Sequence, residues 1–429
     1  MNNTIEKQEK EAVSRYAFFL LTILVWTQTI LVQYARAVLL RLPLIKNYAD
    51  ECIWILFVLT ILLALPQMRL HLPDILFLAV SLAVFLAEWL FYQAGSEYFS
   101  LYAVDFLLKA LPLYIVGVSL SSLSEKDKET LYRLLYYLSL LTLFFDIIYH
   151  LFVGAPMTDA ESLYKGNMVL AYNLLPHCCY IAWFAVKKTS LLGVVFCIVG
   201  VFYLLMLGTR GAALLYLLFI ATVIIIGKGF KKGAVRAILI GGVFGGFLTS
   251  SLYEASLRWL ESQASRLGLS IRIFERLMGG EITESAGRDW IREQLMEAIQ
   301  KRLLTGSGLY SDRILLGGGY SHNIVLELWI DFGIILGTLL LVAMILVLFR
   351  GYIKAANKNE KGMILSLIFA SLLKLFLSGS YLNESVLYLA LGLSVGVVYA
   401  AKQKSNQDSP KEVPNIILQK SDKQQEVIS

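Results

Sequence analysis

The chain has 429 residues, of which 57% are hydrophobic and 16% are charged, and its mean hydropathy is +0.66. Soluble domains carry about 25% charged residues, so this composition excludes an ordinary soluble domain and indicates an integral membrane protein. The formal net charge of +6 lies mostly in short loops. Charge in such loops orients membrane spans, and we therefore expect no nucleic-acid partner.

The N-terminal segment 1–15 is polar and is followed by a long apolar run at 16–34. That run is too long for the hydrophobic region of a cleavable signal peptide, and no small-residue cleavage site follows it. We therefore expect segment 1–15 to stay attached to the first membrane span.

Apolar segments that approach the length of a membrane span recur along the chain. A helix needs about 20 apolar residues to cross a bilayer, and about 17 is the short limit. The candidate segments are 16–35, 51–66, 74–92, 103–123, 131–153, 168–186, 190–207, 211–227, 234–253, 323–349, 362–379 and 385–401. The predicted fold is therefore all-α, a polytopic membrane helix bundle with about twelve transmembrane helices.

Basic residues predict the orientation of this bundle. They cluster in 1–15 and mark later even-numbered connections, for example at Lys126, Lys187 and Lys228. The positive-inside rule assigns these loops to the cytoplasm, so we expect a multi-pass protein with both termini cytoplasmic. The connection that contains Arg36 is an exception, because the count of spans places it outside.

This orientation divides the chain into five segments. Residues 1–15 form the cytoplasmic N-terminus, and 16–253 contain the first nine transmembrane helices. Residues 254–322 form one large extracytoplasmic loop, and 323–401 contain the last three helices. The polar segment 402–429 is expected to be a disordered cytoplasmic tail.

The loop 254–322 is the only predicted extramembrane segment large enough to fold. Between Asp289 and Leu304 its apolar residues recur at intervals of three and four, and Gly306 follows. This pattern predicts an amphipathic helix that ends before Gly306. We expect the helix to lie on or beside the membrane surface.

His322 is the first candidate for chemistry, because it lies where the polar loop meets a predicted membrane helix. The positive end of a helix dipole disfavours imidazolium and lowers the pKa of a histidine at that position. A neutral imidazole is what a general base requires. The alternative is an interfacial histidine that only satisfies the end of its helix.

Two arginines are predicted on the same outer side as His322. Arg210 lies in a connection of about three residues, too short to leave the bilayer surface, and Arg288 lies in the large loop. Guanidinium groups bind phosphate through two parallel hydrogen bonds. Alone, each arginine has a simpler interpretation, since Arg210 could reach to lipid headgroups and Arg288 could be a solvated charge.

Other polar residues in the predicted spans have structural interpretations. Asp105 and Lys109 are four residues apart and should pair on one helix face. His177 is expected to pack within the bundle. Lys374 lies deep in a predicted span and needs a partner or a water-filled cavity.

Four short motifs occur together in the second half of the chain. They are GTRGA around Arg210, GRDW around Arg288, the TGSG turn at 305–308, and SHNIVLELWIDFGIILG beginning at Ser321. By these motifs, the large loop and the number of spans, the chain resembles the O-antigen ligase and O-antigen polymerase superfamily. The likeness extends from about the seventh to the tenth predicted span.

The resemblance implies a glycosyltransferase of the bacterial cytoplasmic membrane that needs no cofactor. Its donor would be an undecaprenyl-diphosphate-linked glycan that arrives through the membrane lipid, and its acceptor another glycan or the lipid A core. His322 would be the catalytic residue, and Arg210 and Arg288 would bind the diphosphate. A chain-length regulator and a flippase are implied as protein partners. The external segments lack an Asp-x-Asp cluster, which favours a metal-independent reaction.

The spacing of two glycines favours the polymerase over the ligase. Ligases of the superfamily commonly carry Gly-x-x-Gly after the histidine segment, whereas Gly333 and Gly337 are four residues apart. The ligase stays as an alternative. A secondary transporter is an alternative of another class, although the chain shows no two matching halves. A non-catalytic scaffold would leave His322 and the two arginines unexplained.

Overall fold

The structure is a computed structural model that describes residues 2–28, 30, 34–35, 38–39, 42, 46–91, 96–153, 160–188, 190–207, 209–228, 251–266 and 288–408. Within these ranges all regular secondary structure is helical. The prediction of an all-α fold is therefore confirmed for the described residues.

Nine α-helices have described bounds in the first part of the chain. They are α1 (Asn2–Thr27), α2 (Ala49–Ala64), α3 (Leu72–Phe91), α4 (Ser96–Asp105), α5 (Leu111–Leu120), α6 (Glu125–Val153), α7 (Ala160–Lys188), α8 (Leu191–Met206) and α9 (Arg210–Lys228). A π turn, Phe106–Ala110, joins α4 to α5 into one continuous helical segment.

Six more α-helices follow among the residues that the structure describes. They are α10 (Ser251–Arg266), α11 (Arg288–Lys301), α12 (Ser311–Leu315), α13 (Ile324–Lys354), α14 (Lys358–Ile368) and α15 (Ser385–Asp408). A second π turn, Phe369–Leu373, extends α14. Because α15 continues to Asp408, the first residues of the predicted disordered tail are helical, and 409–429 lie outside the described residues.

Seven helical segments in the described part are long and apolar enough to cross a membrane. They are Leu72–Phe91, Glu97–Leu120, Glu125–Tyr149, Met168–Lys187, Arg210–Gly227, Ile324–Lys354 and Ser385–Ser405. This supports a polytopic membrane protein. The count of twelve is not confirmed and stays a prediction.

The other predicted spans differ from the structure for identifiable reasons. Helices α2 and α8 are apolar but have only 16 residues each, and α1 ends at Thr27 within the predicted span 16–35. The predicted span 362–379 is helical up to Leu373 and is not among the seven segments, because its helix also includes Lys358, Glu360 and Lys361 in the turn before the predicted span. Most of 234–253 lies outside the described residues.

Helices α5 and α15 pack through glycine. A methyl group on Gly117 would lie 2.6 Å from the carbonyl oxygen of Leu389, and a methyl group on Gly396 would overlap the carbonyl oxygen of Val118. A methyl group on Gly392 would also overlap the carbonyl oxygen of Tyr114. Small residues four apart let two helix backbones approach closely, which is how helices associate within a membrane.

Helix α7 packs against α6, α8, α9 and α14. Its residues Cys178 to Ala182 are fully buried. His177 is also fully buried, with its ring 5.1 Å from that of Trp26 and its Nδ1 atom 3.3 Å from Ser139 Oγ. The prediction of a packed histidine is confirmed. The predicted pair on the α4 segment is confirmed too, since Lys109 Nζ lies 2.6 Å from Asp105 Oδ1.

Helix α13 is broken at Gly333. This residue has φ 78° and ψ 166°, a backbone conformation essentially restricted to glycine. Trp329 Nε1 donates to Thr338 Oγ1 at 2.9 Å, although nine residues of a straight helix span about 13.5 Å. Residues 324–332 therefore fold back against the beginning of 334–354. The span predicted as one helix from 323 to 349 is two segments.

The TGSG turn fills this break. Ser307 N donates to the carbonyl oxygen of Ile330 at 2.7 Å, and Ile334 N donates to the carbonyl oxygen of Leu303 at 2.8 Å. These bonds satisfy backbone groups that the interrupted helix leaves open. Gly306 lies so close to the backbone of the break that a methyl group there would overlap it. The turn thus fixes the helix that follows His322.

Candidate functional site

His322 lies at the junction of the loop and α13. Asn323 caps α13, because its Oδ1 atom accepts hydrogen bonds from Val325 N at 2.9 Å and from Leu326 N at 3.4 Å. His322 precedes this cap and has a left-handed backbone with φ 54°, which is uncommon for residues other than glycine. Its ring packs on that of Tyr320 with a centroid distance of 3.9 Å.

Arg288 is the first residue of the amphipathic helix α11. The predicted periodicity is confirmed: Leu295 and Ile299 are buried and pack against Leu326 and Ile330 of α13. This contact fixes α11 against the helix that follows His322. Arg288 is half-buried, and its Nη1 atom donates to the carbonyl oxygen of Leu377 at 2.8 Å.

Arg210 is the first residue of α9, and three residues separate it from the end of α8, as the short predicted connection requires. The next residue, Gly211, is tightly enclosed. A methyl group on Gly211 would overlap the hydroxyl oxygen of Tyr172 on α7 and would lie 3.6 Å from Leu377 Cδ1. The start of α9 is thereby placed next to Leu377.

The turn 376–378 is the element on which the three predicted site regions meet. Besides the contact to Arg288, its Phe376 carbonyl oxygen accepts a hydrogen bond from Asn323 Nδ2 at 3.4 Å. Tyr320 Oη and Ser378 Oγ lie 3.4 Å apart. Residues on both sides of His322, the Arg288 side chain and the beginning of α9 therefore surround one turn of the chain.

The environment of His322 favours the neutral imidazole. Burial, which contributes most, and the nearby positive charges of Arg288 and Arg313 together lower its pKa from the ordinary value to about 4. The Nδ1 atom is buried without a hydrogen-bond partner among the described residues. A neutral imidazole in this position has the protonation state that a general base requires.

Lys374 has the partner that the sequence analysis required. Its ammonium group pairs with the Glu384 carboxylate, and both side chains are largely buried. The ammonium nitrogen also lies 5.4 Å from the centroid of the Tyr172 ring, within the range of a cation–π contact. Tyr172 thus contacts both the start of α9 and the buried Lys374–Glu384 pair.

A buried charge network contacts the residue before His322, because Ser321 N donates to Asp312 Oδ2. The sequence analysis missed this network. Arg313 is fully buried, and its Nη1 atom pairs with Glu327 Oε1 at 2.7 Å and with Asp312. The Coulombic effects of Glu327 and Asp312 raise the pKa of Arg313, against the lowering effect of burial. Ser380 Oγ and Tyr381 N donate to Glu327.

One signal in the sequence pointed to part of this network. Glu327 and Asp331 are four residues apart in an otherwise apolar helix, and ionisable residues in such helices are usually functional or paired. Tyr381 Oη donates to Asp331 Oδ2 at 2.7 Å. Arg313 gave no signal, because an arginine in a polar loop is normally solvated.

The described residues contain no group of three or more His, Cys, Asp or Glu side chains arranged to hold a metal ion. Comparison of the chain with protein-family models, with curated proteins and with solved structures gives no match. The functional assignment therefore depends on the site itself.

Proposed function

We propose that this protein is a membrane glycosyltransferase that polymerises undecaprenyl-diphosphate-linked oligosaccharide repeat units on the outer face of the bacterial cytoplasmic membrane. The product would be O-antigen, capsule or exopolysaccharide. The observation that carries the proposal is the meeting of His322, Arg288 and the start of α9 around the turn 376–378. This arrangement supports a site that combines the neutral imidazole of His322 with the guanidinium group of Arg288 and, at the start of α9, that of Arg210. The predicted orientation assigns this end of the bundle to the outer face.

Each residue has a role suited to its chemistry. Arg210 and Arg288 neutralise the charge that develops on the departing diphosphate, the electrostatic form of catalysis. Diphosphate is a weak base, so the leaving group needs no general acid. His322 takes the proton from the acceptor hydroxyl as its oxygen attacks the anomeric carbon. The glycosidic bond forms as the bond to the diphosphate breaks, and the reaction is metal-independent.

Alanine variants test the constellation. His322→Ala, Arg210→Ala and Arg288→Ala should each lower transfer of lipid-linked glycan by at least about 100-fold, the usual contribution of one base or one charge-stabilising group. Arg288→Lys should also be poor, because an ammonium group does not replace a bidentate guanidinium. Transfer is measured in membranes with equal amounts of inserted protein, with and without a chelator.

Glu297→Ala is the matched control, since it removes an exposed carboxylate from the same helix as Arg288. It should transfer glycan like the wild type. Full activity in His322→Ala would remove the general base from the proposal. Loss of activity with the chelator, restored by a divalent ion, would show that the reaction is not metal-independent.

The ligase is the second candidate, and it shares the donor chemistry. The preference for a polymerase rests on the spacing of Gly333 and Gly337. Deletion of the protein should leave single repeat units on lipid or on the lipid A core, without long chains. Long polymer accumulating on undecaprenyl diphosphate, with an unmodified core, would identify the ligase. The lipid-linked and core-linked glycans of the deletion strain distinguish the two.

A further inference from the structure

The backbone of His322 is held in a conformation that it would not adopt by itself. A left-handed backbone is unfavourable for a residue with a side chain, because Cβ comes too close to the backbone carbonyl oxygen. Such a conformation persists only where surrounding contacts determine it, and it is common at functional sites. The contacts that impose φ 54° on His322 therefore decide where its imidazole lies.

These contacts are made by the two neighbours of His322. Ser321 N donates to Asp312 Oδ2 at 2.9 Å, and Ser321 Oγ donates to the carbonyl oxygen of Asn323 at 3.1 Å. The Asn323 side chain holds the first turn of α13. His322 is thus fixed between an anchored serine and an anchored asparagine, and Asp312 is the anchor on the loop side.

The other carboxylate oxygen of Asp312, Oδ1, is bound by Arg313. This atom accepts a hydrogen bond from Arg313 N at 2.9 Å and pairs with the Arg313 guanidinium group. Arg313 also pairs with Glu327 at 2.7 Å, and its guanidinium carbon lies 4.8 Å from the centroid of the Tyr102 ring. Asp312, Arg313 and Glu327 are fully buried.

We propose that Asp312, held by Arg313 and Glu327, is the positioning residue of His322. Asp312 acts through the backbone of Ser321 and needs no contact with a substrate. The consequence for catalysis rests on the proposed function, whereas the effect on the conformation of His322 does not. A buried ion pair that only stabilises the fold would not change His322 more than any other histidine, and this difference makes the proposal testable.

The test measures the chemical reactivity of His322 in the full-length protein in detergent. Diethyl pyrocarbonate acylates neutral imidazole, and mass spectrometry gives the rate constant at pH 7 for each histidine separately. In Asp312→Ala the rate constant at His322 should rise by about tenfold, because the charge-assisted hydrogen bond that holds Ser321 is lost. His177, buried elsewhere in the bundle, should keep its wild-type rate constant.

Two further variants make the result decisive. Asp312→Asn retains one acceptor oxygen, so it should fold and raise the rate constant at His322 less than the alanine variant does. Glu297→Ala should change neither histidine. An unchanged rate constant at His322 in Asp312→Asn and Asp312→Ala would overturn the proposal. Equal increases at His322 and His177 would also overturn it, because they would indicate a general loss of structure.

The same variants separate this inference from the proposed function. If the protein transfers glycan, Asp312→Asn should lower kcat and leave KM for the lipid-linked donor unchanged, because Arg210 and Arg288 are not altered. A rise in KM alone would contradict the positioning role. Absence of transfer by the wild type, together with increased reactivity of His322 in the variants, would refute the glycosyltransferase and retain the positioning role.

Discussion

At the scale of single residues, His322 shows what a sequence pattern can and cannot give. Its place at the start of an apolar helix predicted a lowered pKa, and the direction is confirmed. The cause differs from the expected helix dipole, since burial contributes most and the charges of Arg288 and Arg313 follow. Burial depends on Tyr320 and on contacts across the chain, which the order of residues does not reveal.

The pH dependence of transfer follows from this pKa. A general base is active when deprotonated, so kcat/KM should stay nearly constant from neutral pH downwards and fall only as the pH approaches about 4. Below that value the rate should decrease about tenfold per pH unit. A purified enzyme with a short lipid-linked donor provides the measurement. Half-maximal activity near 6.5, the ordinary pKa of histidine, would contradict the assignment.

At the scale of helices, the pattern of apolar residues predicted the position of α13 but not its break at Gly333. The break depends on the TGSG turn, whose backbone groups bind those that Gly333 leaves open. It also explains a second glycine. A methyl group on Gly337 would lie 2.5 Å from the carbonyl oxygen of Leu328, so the fold-back itself requires glycine there. The spacing on which the polymerase is favoured therefore has a structural role.

Gly333→Ala tests the break. The conformation of Gly333 is essentially restricted to glycine, and a methyl group would overlap the Leu304 carbonyl oxygen. We expect a loss of about 3 kcal/mol, the upper part of the range for such strain. Gly317→Ala is the matched control, because Gly317 also has a positive φ but no atom would lie near the methyl group. It should cost only about 1 kcal/mol. Denaturant unfolding in detergent gives the free energy of unfolding of both variants. Equal losses of this free energy would show that the break at Gly333 does not require glycine.

At the scale of the whole molecule, composition was sufficient to predict a polytopic membrane protein. It was not sufficient to predict the number of membrane spans. Seven predicted spans correspond to candidate membrane helices, namely 74–92, 103–123, 131–153, 168–186, 211–227, 323–349 and 385–401. The span expected at 362–379 is helical but is not among the seven segments and stays a prediction. The three site regions are far apart in sequence, and only the packed bundle brings them to one turn.

Reporter fusions test the predicted orientation. A fusion at Ser285 should be active only as an extracytoplasmic reporter, and a fusion at Asn357 only as a cytoplasmic one, because basic residues flank the second site. Matched fusions at both sites with an alkaline phosphatase and a fluorescent protein provide the measurement. A cytoplasmic signal at Ser285 would contradict both the orientation and an outward-facing site.

The π turn Phe369–Leu373 immediately precedes Lys374. A π turn contains one residue more than the α-helical path it replaces, and each residue of an α-helix turns the chain by about 100°. Deletion of one residue from this turn would therefore rotate Lys374 by about a quarter of the circumference, away from Glu384 and Tyr172. The direction of this buried cation is set by the number of residues in the helix before it. A single insertion or deletion there would change the direction of the Lys374 side chain without substituting any residue that contacts it.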